Sequence, residues 1–178
     1  MDVYQSIKAR ASIRSYKSDP ISDDKLKRIL EAVRLAPSAC NIQPWKFIVI
    51  SDLKIKKSLI PACNNQSFIA EAPLIICACA LEKQAYGRMG GNLNSYPIDL
   101  AIAMDHLTLM AVEEGLATCW IGSFKEQEVK NILGVPDEVR VVALTPLGYP
   151  SMQPSARHNI RKELAEIICY DKWSNESK

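Results

Sequence analysis

The chain has 178 residues, of which 48% are hydrophobic, enough to bury one core of ordinary size, so we expect a single domain over residues 1–178. Its formal net charge is only +2. A protein that binds by neutralising many phosphates carries a much larger positive charge, so nucleic acid is not an expected partner.

The start of the chain and its cysteines indicate the compartment. Asp2, Lys8 and Arg10 leave no apolar signal-peptide core, and no stretch reaches the roughly 20 apolar residues of a membrane span. Six cysteines lie mostly in apolar runs such as 74–80, as buried reduced thiols do. We therefore expect a cytoplasmic protein with no disulfide and no membrane partner.

The first half of the chain predicts a helix, a strand and a shorter helix. Ser22 can cap a helix whose apolar residues continue at helical spacing to Val33, and Pro37 brings it to an end. The aromatic and β-branched residues of 45–50 predict a strand. An amphipathic pattern over 54–59 predicts the shorter helix.

The second half alternates strands and helices, which is typical of an α/β or α+β protein. A helix over 98–112 is apolar nearly all round, so it should be buried on more than one side. The glycine- and asparagine-rich stretch 82–96 predicts a mobile loop and is the best candidate for a lid. The remaining elements are strands at 74–80, 116–121 and 140–147 and a helix at 126–133.

Arg10, Ser12 and Arg14 alternate along the chain after the first helix. In an extended segment they would present two guanidinium groups and a hydroxyl from one edge. Guanidinium forks suit a phosphate or the electron-rich edge of a ring. A solvated basic end, shared with Lys8 and Lys17, is the alternative, and the spacing alone leaves both open.

A second motif follows at residues 36–45, which are Ala-Pro-Ser-Ala-Cys-Asn-Ile-Gln-Pro-Trp. These two motifs resemble those of the nitroreductase family, in which R-x-S-x-R is followed by a helix and then by A-P-S-x-x-N-x-Q-P-W. The likeness extends over nearly the whole chain, through Asn65-Gln66, Glu71-Ala72-Pro73, residues 115–122, residues 147–150, Arg161 and Trp173.

The resemblance implies an α+β sandwich, with a central and mostly antiparallel sheet flanked by helices. It also implies an intertwined homodimer that binds FMN between its subunits. The apolar helix at 98–112 fits such an interface, although periodicity alone also allows the core helix of a monomer.

The resemblance places the first motif against FMN. Arg10 and Ser12 would hold the phosphate and the ribityl end, with Arg161 completing the phosphate site, and Ala11 and Ile13 belong to the same cofactor-binding segment. Arg14 would face N1 and O2 of the flavin. A fixed guanidinium there would stabilise the negative charge that two-electron reduction leaves on that edge.

The resemblance assigns the other cofactor contacts to three later segments. Asn65 matches a position that contacts FMN, and residues 120–122 match a segment whose backbone N–H reaches flavin N5. Gly122 would allow this close approach. The contacts from the partner subunit, which pack on the ring, are Pro37, Ser38 and Asn41, and the contacts beside N5 are Trp120, Ile121 and Gly122.

The implied reaction is ping-pong transfer of hydride from NADH or NADPH, through flavin N5, to a nitroaromatic, a quinone or a similar small acceptor. No side chain need act as a catalytic acid or base. Three alternatives stay open. They are a specialised reductive dehalogenase or flavin-fragmenting enzyme, a non-catalytic flavin-binding protein, and a weak nucleic-acid or membrane contact through the basic N-terminal end.

Several residues depart from the family pattern or attract another interpretation. Asn159 stands where the family often has a lysine, and Arg157 or Lys162 could supply that charge. Cys40 is interpreted as a small apolar filler without a catalytic part. The residues interpreted as structural rather than as metal ligands or bases are Cys77, Cys79 and His106.

Overall fold

Helices and strands alternate along a computed structural model that describes residues 2–152 and 160–173. The helices are α1 (Val3–Ala9), α2 (Asp23–Arg34), α3 (Leu53–Ala62), α4 (Tyr96–Glu113) and α5 (Glu126–Leu133). The strands are β1 (Trp45–Ile50), β2 (Leu74–Ala80), β3 (Ala117–Thr118) and β4 (Arg140–Gly148). Short 3₁₀ turns occur at Ala39–Asn41, Ser67–Ala70, Glu82–Gln84 and Leu164–Glu166.

The four strands form one antiparallel sheet in the order β1-β2-β4-β3. Trp45 lies opposite Ala80 on the first pair, and Leu74 lies opposite Leu147 on the second. This arrangement confirms the predicted α+β class with a mostly antiparallel sheet.

β2 is central and buried on both faces, which explains its nearly continuous apolar run. Successive side chains of a strand point to opposite faces. Ile76 and Ala78 therefore enter the core formed with α2 and α4, while Ile75 and Cys77 enter the core formed with α3 and α5. The sheet is thus covered by helices on both sides.

α4 is buried on several sides, as its sequence predicts. Leu100, Met104 and Leu107 are completely buried, and Asp99 and Thr108 are buried among them. The helix begins at Tyr96, two residues before the predicted start, because Pro97 is tolerated in a first helical turn.

The predicted strand at 116–121 is wrong in its extent. Only Ala117 and Thr118 pair with β4, and pairing resumes at an isolated bridge between Ile121 and Leu144. By the register on either side, Cys119 lies opposite Pro146, which has no N–H to donate, and the N–H of Cys119 donates to the hydroxyl of Thr145 at 3.2 Å.

The ends of α2 agree with the prediction, because the helix begins after Ser22 and ends at Arg34, before Pro37, although the Ser22 side chain makes no cap hydrogen bond. The extent of α3 differs. α3 continues to Ala62 rather than stopping at residue 59, with its start capped by the carboxylate of Asp52, which accepts from the N–H of Ile55 at 2.9 Å.

All six cysteines are free thiols, and four of them are buried. The sulfur atoms of Cys77 and Cys79 lie 3.8 Å apart in the core, where the prediction placed them. Over residues 2–152 and 160–173, no group of three or more His, Cys, Asp or Glu side chains is arranged to hold a metal ion. None of the helices in these ranges is both long and apolar enough to cross a bilayer.

Candidate functional site

Residues 10–14 extend the open edge of the sheet beside β3. The N–H of Ile13 donates to the carbonyl of Thr118 at 2.9 Å, and Ser12 forms a parallel bridge with Thr118. Because an extended chain turns alternate side chains to opposite sides, Ala11 and Ile13 are buried while Ser12 and Arg14 are exposed. The predicted one-sided display of polar groups is therefore present.

Two buried contacts hold this segment in place. The Tyr16 hydroxyl donates to the carbonyl of Ile13 at 2.6 Å, and the Tyr16 N–H donates to the carboxylate of Glu71 at 3.1 Å. Burial, and then the neighbouring Cys119, raises the pKa of the Tyr16 hydroxyl, so it remains a donor over the whole physiological range. The exposed side chains are thus presented from a fixed backbone.

Cys119 lies beneath the exposed edge of this segment and was not predicted as a residue of the site. Its thiol is 2% exposed and bonds to the hydroxyl of Ser12. Burial raises the pKa of the Cys119 thiol, while the charge of Arg14, the Ser12 hydrogen bond and the charge of Arg10 act in the opposite direction. Arg10, Ser12 and Arg14 are therefore all near enough to Cys119 to act on its thiol. The only sequence signal for Cys119 is its position one residue before Trp120.

The backbone of 119–122 turns alternate N–H groups toward and away from β4. The Ile121 N–H donates to the Leu144 carbonyl at 2.8 Å, and the Leu144 N–H donates back at 3.1 Å. In such a pair the flanking N–H groups point the other way, so those of Trp120 and Gly122 face outward. A Cβ built at Gly122 would lie in ordinary van der Waals contact with the Trp120 side chain, at 3.8 Å, so this backbone is not crowded.

Asn65 lies in a left-handed turn that reaches the same place. Its φ is 60°, and its side chain is exposed. Its two neighbours fix the turn to Ser123, because the amide of Asn64 donates to the Ser123 hydroxyl at 2.8 Å and the amide of Gln66 donates to the Ser123 carbonyl at 3.1 Å. The turn that carries Asn65 is therefore fixed to Ser123, the residue after Gly122.

Residues 37–43 form a compact turn of their own. The hydroxyl of Ser38 accepts from the N–H of Gln43 at 2.9 Å, and the side-chain amide of Gln43 donates to the carbonyl of Asn41 at 3.0 Å. Cys40 is exposed, so its interpretation as an apolar filler is wrong. In the described part of the chain, no hydrogen bond joins residues 37–43 to residues 10–14 or 120–122.

Arg161 lies in an exposed segment at the C-terminal end. Its guanidinium donates to the carbonyl of Ile160 at 2.8 Å, which is a local contact, so its grouping with Arg10 and Ser12 stays a prediction. Arg157 and Asn159 lie outside the described residues. His106 is the structural histidine that was predicted, with Nδ1 3.2 Å from the carbonyl of Ala32.

The edge at residues 10–14 and 119–122 suits a ligand with a phosphate and a flat polar ring. Two guanidinium groups and a hydroxyl match phosphate and ring oxygens. The outward N–H groups of Trp120 and Gly122 are free of β4 and could donate to a ring placed beside this edge. These are the groups that FMN requires, so the residues present fit that cofactor.

Comparison with known proteins gives a consistent result. The sequence profile of the Nitroreductase family matches residues 7–74 and 61–149. The solved structure of a nitroreductase family protein from Clostridium novyi NT is 39% identical, with a TM-score of 0.78, over 85% of this chain and 86% of that one. One from Clostridium difficile 630 is 30% identical, with a TM-score of 0.85, over 97% and 100%. An FMN reductase [NAD(P)H] from Bacillus subtilis is 29% identical over 91% of this chain and 71% of its own length.

Proposed function

Because the chain belongs to the nitroreductase family, we propose that it is an FMN-dependent oxidoreductase that passes hydride from NADH or NADPH to small electron-poor acceptors such as nitroaromatics and quinones. The observation that carries this proposal is the display of Ser12 and Arg14, with half-buried Arg10, on a segment paired with Thr118, just before the outward N–H groups of residues 120–122. The likeness to an FMN reductase supports the choice of cofactor.

In this proposal the two arginines of the first motif have separate tasks. Arg10 is half-buried and, with Ser12 and Arg161, would bind the phosphate through charge-assisted hydrogen bonds. Arg14 is fully at the surface and would lie along the pyrimidine edge of the ring. Ala11 and Ile13 serve by packing inward, which fixes the direction of the polar side chains.

The bound FMN would supply a ring that takes up hydride and gives it away again. The protein contributes position and charge. The Arg14 guanidinium would stabilise negative charge on the ring edge, and an outward N–H of residues 120–122 would hold the ring without offering a competing acid. Asn65 would limit the ring from the side of Gly122. No general base is needed for such a transfer.

We also propose that the site is completed in a homodimer, with Pro37, Ser38 and Asn41 supplied by the partner subunit. One support is the apolar surface of α1, where Val3 is 72% and Ile7 53% exposed. An open cavity of about 320 Å³ lies beside them, against α2 and α4. A second support is the C-terminal segment, whose apolar side chains are all exposed, namely Ile160, Leu164, Ile167, Ile168, Tyr170 and Trp173.

We place this activity in one domain that works in the cytoplasm. Four buried free thiols are suited to a reducing compartment.

The loop at 86–95 closes on itself through paired hydrogen bonds between Met89 and Leu93. A short loop of this kind would cover little of the site, which favours a broad range of acceptors over one recognised substrate.

Steady-state kinetics tests the proposed order of events. If the nicotinamide leaves before the acceptor binds, double-reciprocal plots of rate against NADH at several quinone or nitroaromatic concentrations will be parallel. Intersecting lines would overturn the ping-pong order, and no acceptor-dependent oxidation of NADH or NADPH would overturn the proposed activity. The variant Asp137→Asn, on an exposed turn outside the proposed site, is the control and should give the same kinetics as the wild type.

A further inference from the structure

Asp99 is a buried carboxylate that reaches out of its helix to two separate loops. It lies in the N-terminal part of α4 and is 2% exposed. Its Oδ1 accepts from the backbone N–H of Ala39 at 2.9 Å, and its Oδ2 accepts from the hydroxyl of Ser95 at 2.7 Å. A buried charge is costly unless such bonds satisfy it, so these two contacts are strong determinants of local structure.

Ser95 connects the carboxylate to the base of loop 86–95. Its side chain is completely buried, and its hydroxyl also accepts from the N–H of Tyr86 at 3.1 Å. The N–H of Ser95 donates back to the carbonyl of Tyr86 at 2.8 Å, which closes the loop. A continuous path of hydrogen bonds therefore runs from Tyr86 through Ser95 and Asp99 to Ala39.

The far end of this path is a segment with an unfavourable backbone. Cys40, Asn41 and Gln43 all have φ between 51° and 56°, the left-handed region that non-glycine residues seldom occupy. Such a conformation persists only where neighbouring contacts fix it. The bond from Ala39 to Asp99 is a hydrogen bond that joins this segment to α4.

A plainer role for Asp99 is to complement the positive end of the α4 dipole. That role accounts for a carboxylate near the start of the helix. It does not account for a carboxylate whose two oxygens are directed at two different loops, one of which carries the proposed flavin contacts Pro37, Ser38 and Asn41.

We propose that Asp99 is a positioning residue that couples loop 86–95 to segment 37–43, so that the state of the loop sets the geometry of the segment. Its link to FMN rests on the proposed function above. The coupling itself depends only on the hydrogen-bonded path from Tyr86 to Ala39.

Hydrogen exchange of the flavin-free protein tests the coupling directly. Ser95→Ala removes the middle of the path but touches no residue of 37–43, and Asp99→Asn removes the charge that both loops share. In each variant, exchange should become about tenfold faster in peptides from both 37–43 and 86–95. Peptides from β2 should keep the wild-type rate.

The controls are the same chemical changes at exposed positions, Ser58→Ala on α3 and Asp137→Asn. Unchanged exchange of 37–43 in Ser95→Ala would overturn the coupling. If Asp99→Asn fails to fold, Ser95→Ala alone still decides the matter, because Asp99 is the hydrogen-bonded link between the Ser95 hydroxyl and Ala39. Faster exchange throughout the protein, β2 included, would also count against the proposal.

FMN binding and kinetics provide a second readout that general destabilisation would not produce. Asp99→Asn should raise the dissociation constant for FMN about fivefold or more while kcat at saturating FMN changes less than about twofold, since it shifts flavin-binding groups and removes no reacting one. An equal fall in kcat would overturn the positioning role. A wild-type protein that binds no FMN would overturn the proposed function, whereas the exchange result would still stand.

Discussion

The two arginines of R-x-S-x-R have different surroundings although they are four residues apart. Arg10 is half-buried near Cys119, and Arg14 is exposed with its guanidinium 3.5 Å from the carbonyl of Ser12. A half-buried guanidinium suits a fixed phosphate, while an exposed one is free to follow a ring edge. Single substitutions can therefore separate binding from electronic tuning.

Replacement of Arg14 by glutamine should lower the flavin reduction potential. Loss of the guanidinium removes a charge that favours the reduced ring, and a shift of about 30 mV or more is expected for a tenfold change in a two-electron couple. Spectroelectrochemical titration measures it. Arg14→Lys, which keeps the charge, should fall between wild type and Arg14→Gln, and equal potentials for all three proteins would refute the tuning role.

Replacement of Arg10 by alanine should weaken FMN binding about 10- to 100-fold, the value of a charge-assisted hydrogen bond to phosphate. Quenching of FMN fluorescence during titration of the apoprotein gives the dissociation constant. Lys17→Ala removes a nearby exposed charge and should leave binding unchanged. If both variants weakened binding alike, the motif would be a general basic surface rather than a phosphate site.

At the scale of elements, the sequence could predict the strands, the class of the sheet and the burial of α4, because those depend on apolar periodicity. It could not predict the break after Thr118, because only the pairing register shows that Cys119 lies opposite Pro146, which has no N–H to donate. Nor could it predict Asp99 as a link between loops. That role requires Ala39 and Ser95 to meet in space, although they are 56 residues apart in sequence.

The same limit applies to the candidate site. The alternation of buried and exposed side chains at 10–14 could be predicted because it depends on local sequence. The other residues of the candidate site came from the resemblance to the family. Cys119 was missed because a cysteine inside an apolar run has no feature that separates a site residue from a core residue. The exposed position of Cys40 was missed because it follows from a left-handed turn, and a left-handed φ at a non-glycine residue cannot be predicted from composition.

The contact between α5 and β4 should make stability depend on pH. Partial burial raises the pKa of Glu126, but hydrogen bonds from the Arg140 guanidinium and the Val141 N–H outweigh it and hold the pKa below its ordinary 4.5. A lowered folded pKa means that the contribution is complete above the unfolded value and is lost as the pH falls through the folded one.

Glu126→Gln should therefore reduce the free energy of unfolding by about 1 kcal/mol at pH 7, and the difference from wild type should vanish toward pH 3. Urea denaturation at several pH values measures both. Glu128→Gln, whose pair with Lys125 is exposed, should have a much smaller effect. A difference that persists undiminished at pH 3 would show that the carboxylate charge is not the cause.

At the scale of the whole molecule, the proposed site requires a second copy of the chain. Ile7→Asp introduces a charge on the exposed apolar face of α1 and should convert the proposed dimer to a monomer, which sedimentation equilibrium would reveal. The monomer should also lose FMN, because Pro37, Ser38 and Asn41 would then be missing from the ring. A monomeric variant that retains full FMN affinity would contradict the shared site.

The central claim is that this chain carries an FMN that a nicotinamide can reduce. The most direct test is the visible absorption spectrum of the purified protein, supplemented with FMN if needed, before and after anaerobic addition of NADH and then NADPH. We expect the two flavin bands to be present and to bleach with at least one donor. Absence of the bands after reconstitution with FMN, or bands that neither donor bleaches, would contradict the account.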